Sequence, residues 1–268
     1  MRQAYTLVLV VLLCLICKTV RADTIACESP DLGLDTTGAK EQVDAMLKQG
    51  TACVREKKPG RAVAILTQII RNDPTNASAY LNRGSAQAAL GELSFALDDY
   101  STALRLARDM VEAWYNRGTT LTHMRRFEAA VADFTEAIRL KPDFALAYCN
   151  RGLSEVELGR YDDAIADYAT AIGQEPDLTY CHANRGNLYL MLGEYQKAID
   201  DFTAAFGEHP SDANALSRRG QAHEAMGRIK EATDDYNAAL ELDPQIESAR
   251  EGISRLTQQQ KQSDNGNR

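Results

Sequence analysis

The chain has 268 residues and a formal net charge of -8, with 30 basic and 38 acidic side chains. Because an acidic surface repels phosphate backbones, nucleic acid is not expected among its partners. Beyond residue 22, charged residues recur throughout, and no apolar run reaches the ~20 residues that a membrane-spanning helix needs. The composition therefore predicts a soluble chain after that point, with no integral membrane span.

Residues 1–22 have the pattern of an export leader. An early arginine is followed by an apolar run, Leu7 to Cys17, which is too short to span a bilayer. The sequence Val20-Arg21-Ala22 then offers the small residues that signal peptidase requires. An uncleaved anchor and a lipid-modified Cys27 are the alternatives, but the run is short for an anchor, and Thr24 stands where a lipidated cysteine usually has leucine. We predict a cleaved signal peptide and a periplasmic or secreted protein.

A 34-residue period organises the rest of the chain. The tripeptide Asn-Arg-Gly begins at positions 82, 116, 150 and 184, and Arg-Arg-Gly begins at position 218. Two further series keep the same step, namely alanines at Ala62, Ala96, Ala130, Ala164, Ala198 and Ala232, and rings at Tyr100, Phe134, Tyr168, Phe202 and Tyr236. We therefore divide the chain into a lead-in segment, 23–42, and six repeats, 43–76, 77–110, 111–144, 145–178, 179–212 and 213–246.

Each repeat has the apolar spacing of amphipathic helices. Apolar residues recur at helical intervals, as in Ala130, Val131, Phe134, Ala137 and Ile138. Glycine near the middle of most repeats marks the end of a first helix, and a proline near the end of five repeats stops a second one. Since a lone helical hairpin cannot cover its own apolar face, neighbouring hairpins must stack.

The repeat resembles that of the tetratricopeptide repeat (TPR) family. The third repeat carries the pattern of that family at Trp114, Gly118, Ala130, Phe134, Ala137 and Pro142. The resemblance implies an all-α TPR solenoid, in which helix-turn-helix hairpins form a right-handed superhelix, and a protein or peptide as the partner. The first repeat fits the pattern least, as terminal repeats often do because they cap an open end.

After Pro244 the helical spacing continues without a second half. Ala249, Ile253 and Leu256 follow at helical intervals, which predicts a C-terminal capping helix over 247–258 that covers the sixth hairpin. The remaining residues, 259–268, are rich in Gln, Asn, Ser and Gly and have too little apolar surface to order themselves. We predict a disordered tail there.

Five repeats carry an arginine before the glycine of the tripeptide and an aspartate before the ring. The pairs are Arg83 with Asp99, Arg117 with Asp133, Arg151 with Asp167, Arg185 with Asp201, and Arg219 with Asp235. The first repeat lacks both charges, with Gln49 and Ile65 instead. Each arginine is therefore predicted to pair with the aspartate of its own hairpin, and we interpret these pairs as structural.

An asparagine precedes the arginine in four repeats, at Asn82, Asn116, Asn150 and Asn184. In proteins of the TPR family this position lines the concave groove. Because an amide both donates and accepts hydrogen bonds, a row of them can hold the backbone of an extended peptide whatever its sequence. The alternative is that these side chains meet only water.

Groove positions in repeats three to five also carry large apolar side chains, which commonly mark a binding surface. The candidates are Tyr115, Leu146, Leu153, Tyr180 and Leu190. Packing against the next hairpin is the alternative for some of them. The lysines with which certain TPR domains clamp a terminal carboxylate are missing, so we do not expect that chemistry.

Four cysteines follow the leader: Cys27, Cys53, Cys149 and Cys181. An even count in an oxidising compartment is compatible with two disulfides, and the sequence leaves three pairings open. Cys149 and Cys181 occupy positions that can face each other across neighbouring hairpins, and a Cys27–Cys53 bond would tether the lead-in segment to the first repeat. The alternative is four small buried side chains.

The sequence carries no recognisable catalytic or metal-binding motif. The four histidines share no metal-ligand spacing, and no nucleophile motif or phosphate-binding loop interrupts the repeats. We therefore predict a non-catalytic scaffold, without cofactor or metal, that binds an extended segment of an envelope or secreted partner. The alternative is an accessory subunit of an envelope enzyme complex that docks through its convex face.

Overall fold

The structure is a computed structural model that describes residues 39–206 and 212–266. The predicted signal peptide, 1–22, lies outside this part of the chain and stays a prediction, as does most of the lead-in segment. No described helix is long and apolar enough to cross a membrane.

Where the structure describes the chain, it forms α-helices joined by short turns, with no strand. The helices are α1 (Ala39–Arg55), α2 (Pro59–Asn72), α3 (Ala77–Ala89), α4 (Leu93–Leu106), α5 (Val111–His123), α6 (Phe127–Leu140), α7 (Ala145–Glu157), α8 (Tyr161–Gln174), α9 (Thr179–Met191), α10 (Tyr195–Phe206), α11 (Ala213–Ala225), α12 (Ile229–Leu242) and α13 (Glu247–Gly266). Odd-numbered helices up to α11 are the first helices of the six repeats, and even-numbered ones are the second. Helix α1 begins four residues before the predicted start of the first repeat.

The turn inside each hairpin uses one residue in the left-handed conformation. The residues with positive φ are Lys57, Gly91, Arg125, Gly159, Gly193 and Gly227. In the second repeat this turn lets Glu92 N–H donate to the Gln87 carbonyl, at 2.9 Å, and so closes the end of α3. Lys57 and Arg125 adopt the same conformation without glycine, which costs about 1–2 kcal/mol each. The 34-residue spacing therefore fixes where the chain reverses even where the residue is not glycine.

Close contact between a glycine and a ring holds together the two helices of each hairpin in repeats two to six, whereas in the first repeat Gly50 faces Leu66. A Cβ added to Gly118 would meet the Phe134 ring at 2.9 Å, so only glycine leaves room for it. Phe134 is fully buried, as are the rings of Tyr168, Phe202 and Tyr236. Burying such a ring contributes about 2–3 kcal/mol relative to leaving it exposed. The tripeptide glycine and the ring series are thus two sides of one packing contact.

The chain divides into two compact units. Unit 1 extends to Pro142 and contains α1 to α6, and unit 2 begins at Asp143 and contains α7 to α13. Each unit has buried apolar cores of its own, built around Leu66 and Leu104 in unit 1 and around Tyr168 and Tyr236 in unit 2. The six repeats therefore form two groups of three hairpins.

Helix α13 caps the sixth hairpin, as its apolar spacing predicts. Its Gly252 lies against the Tyr236 ring so closely that a Cβ there would overlap the ring. Arg255 donates to both carboxylate oxygens of Glu224, at 3.0 Å, and the Tyr236 hydroxyl donates to the same carboxylate at 2.6 Å. Arg255 contributes most to the lowered pKa of Glu224. These contacts join α13 to both helices of the last repeat.

The prediction of a disordered tail over 259–268 is wrong for most of these residues. Helix α13 continues to Gly266, eight residues past the predicted end of the cap at residue 258. Leu256 is its last buried apolar side chain, and the glutamines and lysine that follow have high helix propensity, so the helix extends beyond its buried face. Residues 267–268 lie outside the described part of the chain.

Candidate functional site

Five ion pairs between a half-buried arginine and a buried aspartate link the two helices of repeats two to six. In each pair the arginine Nε and Nη2 donate to the two carboxylate oxygens, at 2.6–2.9 Å. Hydrogen bonding to the carboxylate raises the pKa of Arg83, Arg151 and Arg185. Every pair lies within one hairpin, as the shared absence of both charges from the first repeat predicts. We interpret this row as structural.

The same arginines also reach the preceding hairpin, which the sequence reasoning did not foresee. Arg83 Nη1 donates to Thr67 Oγ1 at 3.2 Å, and Arg117 Nη1 donates to Ser101 Oγ at 3.1 Å. In unit 2, Arg219 Nη1 donates to Thr203 Oγ1 at 3.1 Å. These hydroxyls recur at the 34-residue step, which is the signal that could have revealed them. Each such arginine therefore stabilises both its own hairpin and the stacking of two hairpins.

The fifth repeat departs from this arrangement. Ala169 occupies the position of the hydroxyl, so Arg185 has no counterpart to Thr67. Instead, His182 enters the pair, with its Nδ1 3.1 Å from Asp201 Oδ1 and its Nε2 3.2 Å from the Pro176 carbonyl oxygen. His182 is buried, and it contacts Asp201 in addition to Arg185, so this aspartate has two partners. This histidine serves the hairpin rather than a metal site.

The two asparagines of unit 1 differ, because only Asn116 bonds to the protein itself. Asn116 Nδ2 donates to Ser85 Oγ of the preceding hairpin, at 3.3 Å. Ser85 Oγ also accepts from the Tyr100 hydroxyl at 3.3 Å and donates to the Leu81 carbonyl at 3.1 Å. One serine therefore satisfies both the amide and the ring hydroxyl. Asn82 is half-buried and makes no side-chain hydrogen bond to any described residue.

The asparagines of unit 2 differ from each other. Asn150 is buried and has interactions of its own. Asn184 is half-buried, and its amide makes no hydrogen bond to the described residues. The reason is local: Leu153 stands at the position that Ser85 holds in the second repeat, so no hydroxyl is present for Asn184. Of the two asparagines in unit 2, Asn184 is the one with an available amide.

The predicted apolar candidates do not all lie at the surface. Tyr115 is only 2% exposed and its ring centroid is 5.9 Å from that of Phe134, so its assignment to a binding surface is wrong. Its ring lies against Phe134, which itself contacts Gly118, so Tyr115 packs within its own hairpin. Leu190 and Tyr180 are half-buried and pack partly against the cores of unit 2.

The first helices of unit 2 share a face whose side chains are exposed or half-buried. Its residues recur three and four positions apart, so on each helix they share one face. We call this face the unit 2 stripe, and it consists of Leu146 and Leu153 on α7, Tyr180, Asn184, Asn187 and Met191 on α9, and Asn214 and Arg218 on α11. Met191 is 56% exposed. The stripe thus combines apolar side chains, amides and one guanidinium.

A disulfide joins the helices that carry the apolar end of this stripe. Cys149 of α7 and Cys181 of α9 are bonded, with their Cα atoms 5.8 Å apart, and both are fully buried. Cys53 is disulfide-bonded as well. Its predicted partner, Cys27, lies outside the described residues, so the Cys27–Cys53 pairing stays a prediction. In the described segments no group of three or more His, Cys, Asp or Glu residues could hold a metal ion.

Family models of the tetratricopeptide repeat match most of the chain from residue 47 to residue 245. One matches residues 111–144, a second matches 47–109 and 183–245, and a third, described as TPR repeat, matches 152–193. The chain belongs to the tetratricopeptide repeat family. The contact between the glycine and the ring, and the 34-residue spacing of the hairpins, agree with this family.

Solved TPR structures share the fold at low sequence identity. PilF from Pseudomonas aeruginosa has a TM-score of 0.73 and 18% identity, over 82% of this chain and all of that one. PilW, a type IV pilus biogenesis factor, has a TM-score of 0.71 and 18% identity, over 80% and 99% of the two chains. YrrB, described as a TPR protein with an unusual peptide-binding site, has a TM-score of 0.59 and 21% identity, over 70% and 97%. Among curated proteins none matches this chain.

Proposed function

We propose that this TPR protein is a non-catalytic interaction scaffold that binds an extended segment of an envelope or secreted protein along its unit 2 stripe. The observation that carries this proposal is the accessible row of apolar side chains and amides on α7, α9 and α11. Apolar side chains left accessible on adjacent helices commonly mark a binding surface. Amides among them suit the polar backbone of an extended chain.

Two further observations support a peptide partner and an exported location. YrrB, which shares this fold, is described as having a peptide-binding site. The Cys149–Cys181 disulfide fits an oxidising compartment, where such bonds form and persist. The leader pattern of residues 1–22 agrees with that compartment. The acidic net charge of -8 supports a protein rather than a nucleic acid as partner.

One exposed side chain favours a second candidate, docking of an enzyme or other envelope protein on the second helices. Phe95 of α4 is 62% exposed, at a position where the other repeats carry Arg61, Ala129, Asp163, Lys197 and Glu231. In this alternative the protein is an accessory subunit, and the unit 2 stripe takes no part in the contact. The two candidates place the partner on different helices and can be separated by mutation.

The test begins with crosslinking of the native exported protein, followed by mass spectrometry, to identify the partner. The affinity of the purified pair is then measured for Leu146→Ser combined with Tyr180→Ser, and for Phe95→Ser as the matched control. We expect the stripe variant to lose at least about tenfold in affinity, because buried aromatic and aliphatic contacts dominate interface energies. Circular dichroism checks that both variants remain folded.

The opposite pattern contradicts the proposal. If Phe95→Ser abolishes binding while the stripe variant binds as the native protein does, the partner docks on the second helices. Turnover of a substrate by the purified chain alone would contradict the non-catalytic assignment.

A further inference from the structure

We infer that Leu153 leaves Asn184 without a hydrogen-bond partner in the fold, so that Asn184 binds the backbone of the bound segment. This segment carries apolar side chains followed by an acidic residue that pairs with Arg218. This inference rests on the proposed function and names the partner chemistry of the same stripe. It also predicts which of the four asparagines acts in binding.

The starting point is the difference between Ser85 and Leu153 at equivalent positions of repeats two and four. Ser85 satisfies two groups, the amide of Asn116 and the hydroxyl of Tyr100. In unit 2 the equivalent groups are Asn184 and Tyr168. Asn184 makes no side-chain hydrogen bond to the described residues, and the buried Tyr168 hydroxyl has no hydrogen-bond partner there either. With leucine at this position, the Tyr168 hydroxyl is left buried without a hydrogen bond, and the half-buried Asn184 amide has no partner among the described residues.

A buried hydroxyl without a hydrogen bond needs a physical reason, because buried polar groups in proteins are nearly always hydrogen-bonded. Fold stability does not supply the reason, since serine at this position in unit 1 satisfies both groups. Leu153 is half-buried and shares one face of α7 with Leu146, seven residues earlier, so it adds to the apolar surface of the stripe. The same side chain therefore creates an apolar contact and frees an amide, and both are what an extended peptide requires.

Asn184 offers both halves of a backbone hydrogen-bond pair. Its Oδ1 can accept from a peptide N–H, and its Nδ2 can donate to a peptide carbonyl. A segment seated on Asn184 would place side chains against Leu153, Leu146 and Tyr180. Apolar side chains suit that surface, since charged ones would lose their water there without gaining a partner.

Arg218 supplies the charge that the segment must match. It lies one repeat beyond Asn184, at the position where four other repeats carry asparagine. Its side chain is exposed and makes no hydrogen bond or ion pair to any described residue. Its stripe neighbours, Asn187 and Asn214, are uncharged, so no acidic side chain of the stripe neutralises it. A carboxylate of the partner is the complementary group.

The spacing of the helices gives the spacing of the motif. Neighbouring packed helices are about 10 Å apart, and an extended chain advances about 3.3 Å per residue. One hairpin therefore corresponds to about three residues of the segment. The apolar residues over α7 and α9 and the acidic residue at α11 should be about three to six positions apart.

The test is a selection of phage-displayed random 12-residue peptides on the full chain. Enriched peptides should carry apolar residues and an Asp or Glu about three to six positions apart. The most enriched peptide is then synthesised with a fluorescein label and an amidated C-terminus, so that any carboxylate contact comes from a side chain. Its Kd is measured by fluorescence anisotropy.

Variants of the protein separate the two parts of the inference. Leu153→Ser rebuilds the serine of unit 1, so it should capture Asn184 internally and weaken binding by about tenfold while the protein stays folded. Arg218→Glu should weaken binding by about fivefold, and a peptide with Lys in place of its acidic residue should recover that loss. Asn116→Ala, in unit 1, is the matched control and should bind as the native protein does.

The outcomes distinguish this inference from the proposed function. If the selected peptides lack acidic residues, or if Leu153→Ser and Arg218→Glu bind normally while Leu146→Ser with Tyr180→Ser does not, this inference is wrong and the stripe remains a peptide site. If no peptide is enriched, or if the Leu146→Ser, Tyr180→Ser variant also binds normally, the inference and the proposed function both fail.

Discussion

Units 1 and 2 are built from the same hairpin but use its first helices differently. Both keep the Arg–Asp pairs and the Gly–ring contact, which hold hairpins together. They differ at single positions: Ser85 ties Asn116 to the fold in unit 1, whereas Leu153 leaves Asn184 available in unit 2. At this one position, serine or leucine decides whether the asparagine of the following repeat bonds to the fold or is left without a protein partner.

The largest expected effect concerns Asp201, which is held by both an arginine and a histidine. Asp201→Asn removes the charge that faces Arg185 and His182, and leaves a largely buried guanidinium without its counter-ion. We expect a loss of about 3–5 kcal/mol in the free energy of unfolding, as for other broken buried pairs. Urea denaturation followed by circular dichroism measures it.

The equivalent substitution in unit 1 allows the two ion pairs to be compared. Asp99→Asn breaks the same kind of pair, but Arg83 keeps its hydrogen bond to Thr67 and no histidine is involved. We expect it to cost about 1 kcal/mol less than Asp201→Asn, the value of one ordinary hydrogen bond. Equal losses would show that His182 contributes nothing to the fifth repeat.

The disulfide should stabilise unit 2 more than unit 1. Replacing Cys149 and Cys181 by serine opens a loop of 32 residues and should cost about 2–4 kcal/mol. Trp114, the one tryptophan of the chain, lies in unit 1 and reports on that unit by fluorescence. We expect the unfolding midpoint by circular dichroism to fall more than the midpoint by tryptophan fluorescence. Equal shifts would show that the two units unfold as one.

The smallest effect is a pH dependence with a component in each unit. Burial lowers the pKa of His123 in unit 1 below 6.5, and burial is also the largest cause of the lowered pKa of His223 in unit 2. Since the unfolded chain then binds the proton first, stability is lost as pH falls below about 6.5.

Glutamine variants assign the two components. His123→Gln should flatten the pH dependence of the tryptophan transition between pH 7.5 and 5.5, and His223→Gln should flatten that of the circular dichroism transition. Denaturation midpoints at several pH values measure both. An unchanged slope in either variant would contradict the role of that histidine.

Most of the fold follows from the 34-residue period, because the recurring small and large side chains set how the two helices of a hairpin pack. Gly118 and Phe134 must meet for a hairpin to close, and both are visible in the sequence. The Arg–Asp pairs were also predictable, since the first repeat lacks both charges together. The asparagine row was visible as well, but its availability was not, because that depends on a serine or leucine 31 residues earlier in the chain.

Two predictions from the sequence were wrong because the local pattern did not reveal the packing. Tyr115 has the position of a groove residue by helical phase, yet its ring packs on Phe134, the ring that also contacts Gly118. The polar residues after Leu256 lack apolar surface, yet they remain helical because α13 is already nucleated by its contacts with Tyr236 and Glu224.

By itself, the sequence determined the hairpins, their number, their turns and the pairing of charges within them, because these depend on residues at a fixed and short separation. Only the tertiary structure decided which groove residues are accessible, which asparagines lack a hydrogen-bond partner among the described residues and which cysteines meet. Those properties arise between hairpins, where the hydroxyl of one repeat and the amide of the next are brought together by stacking.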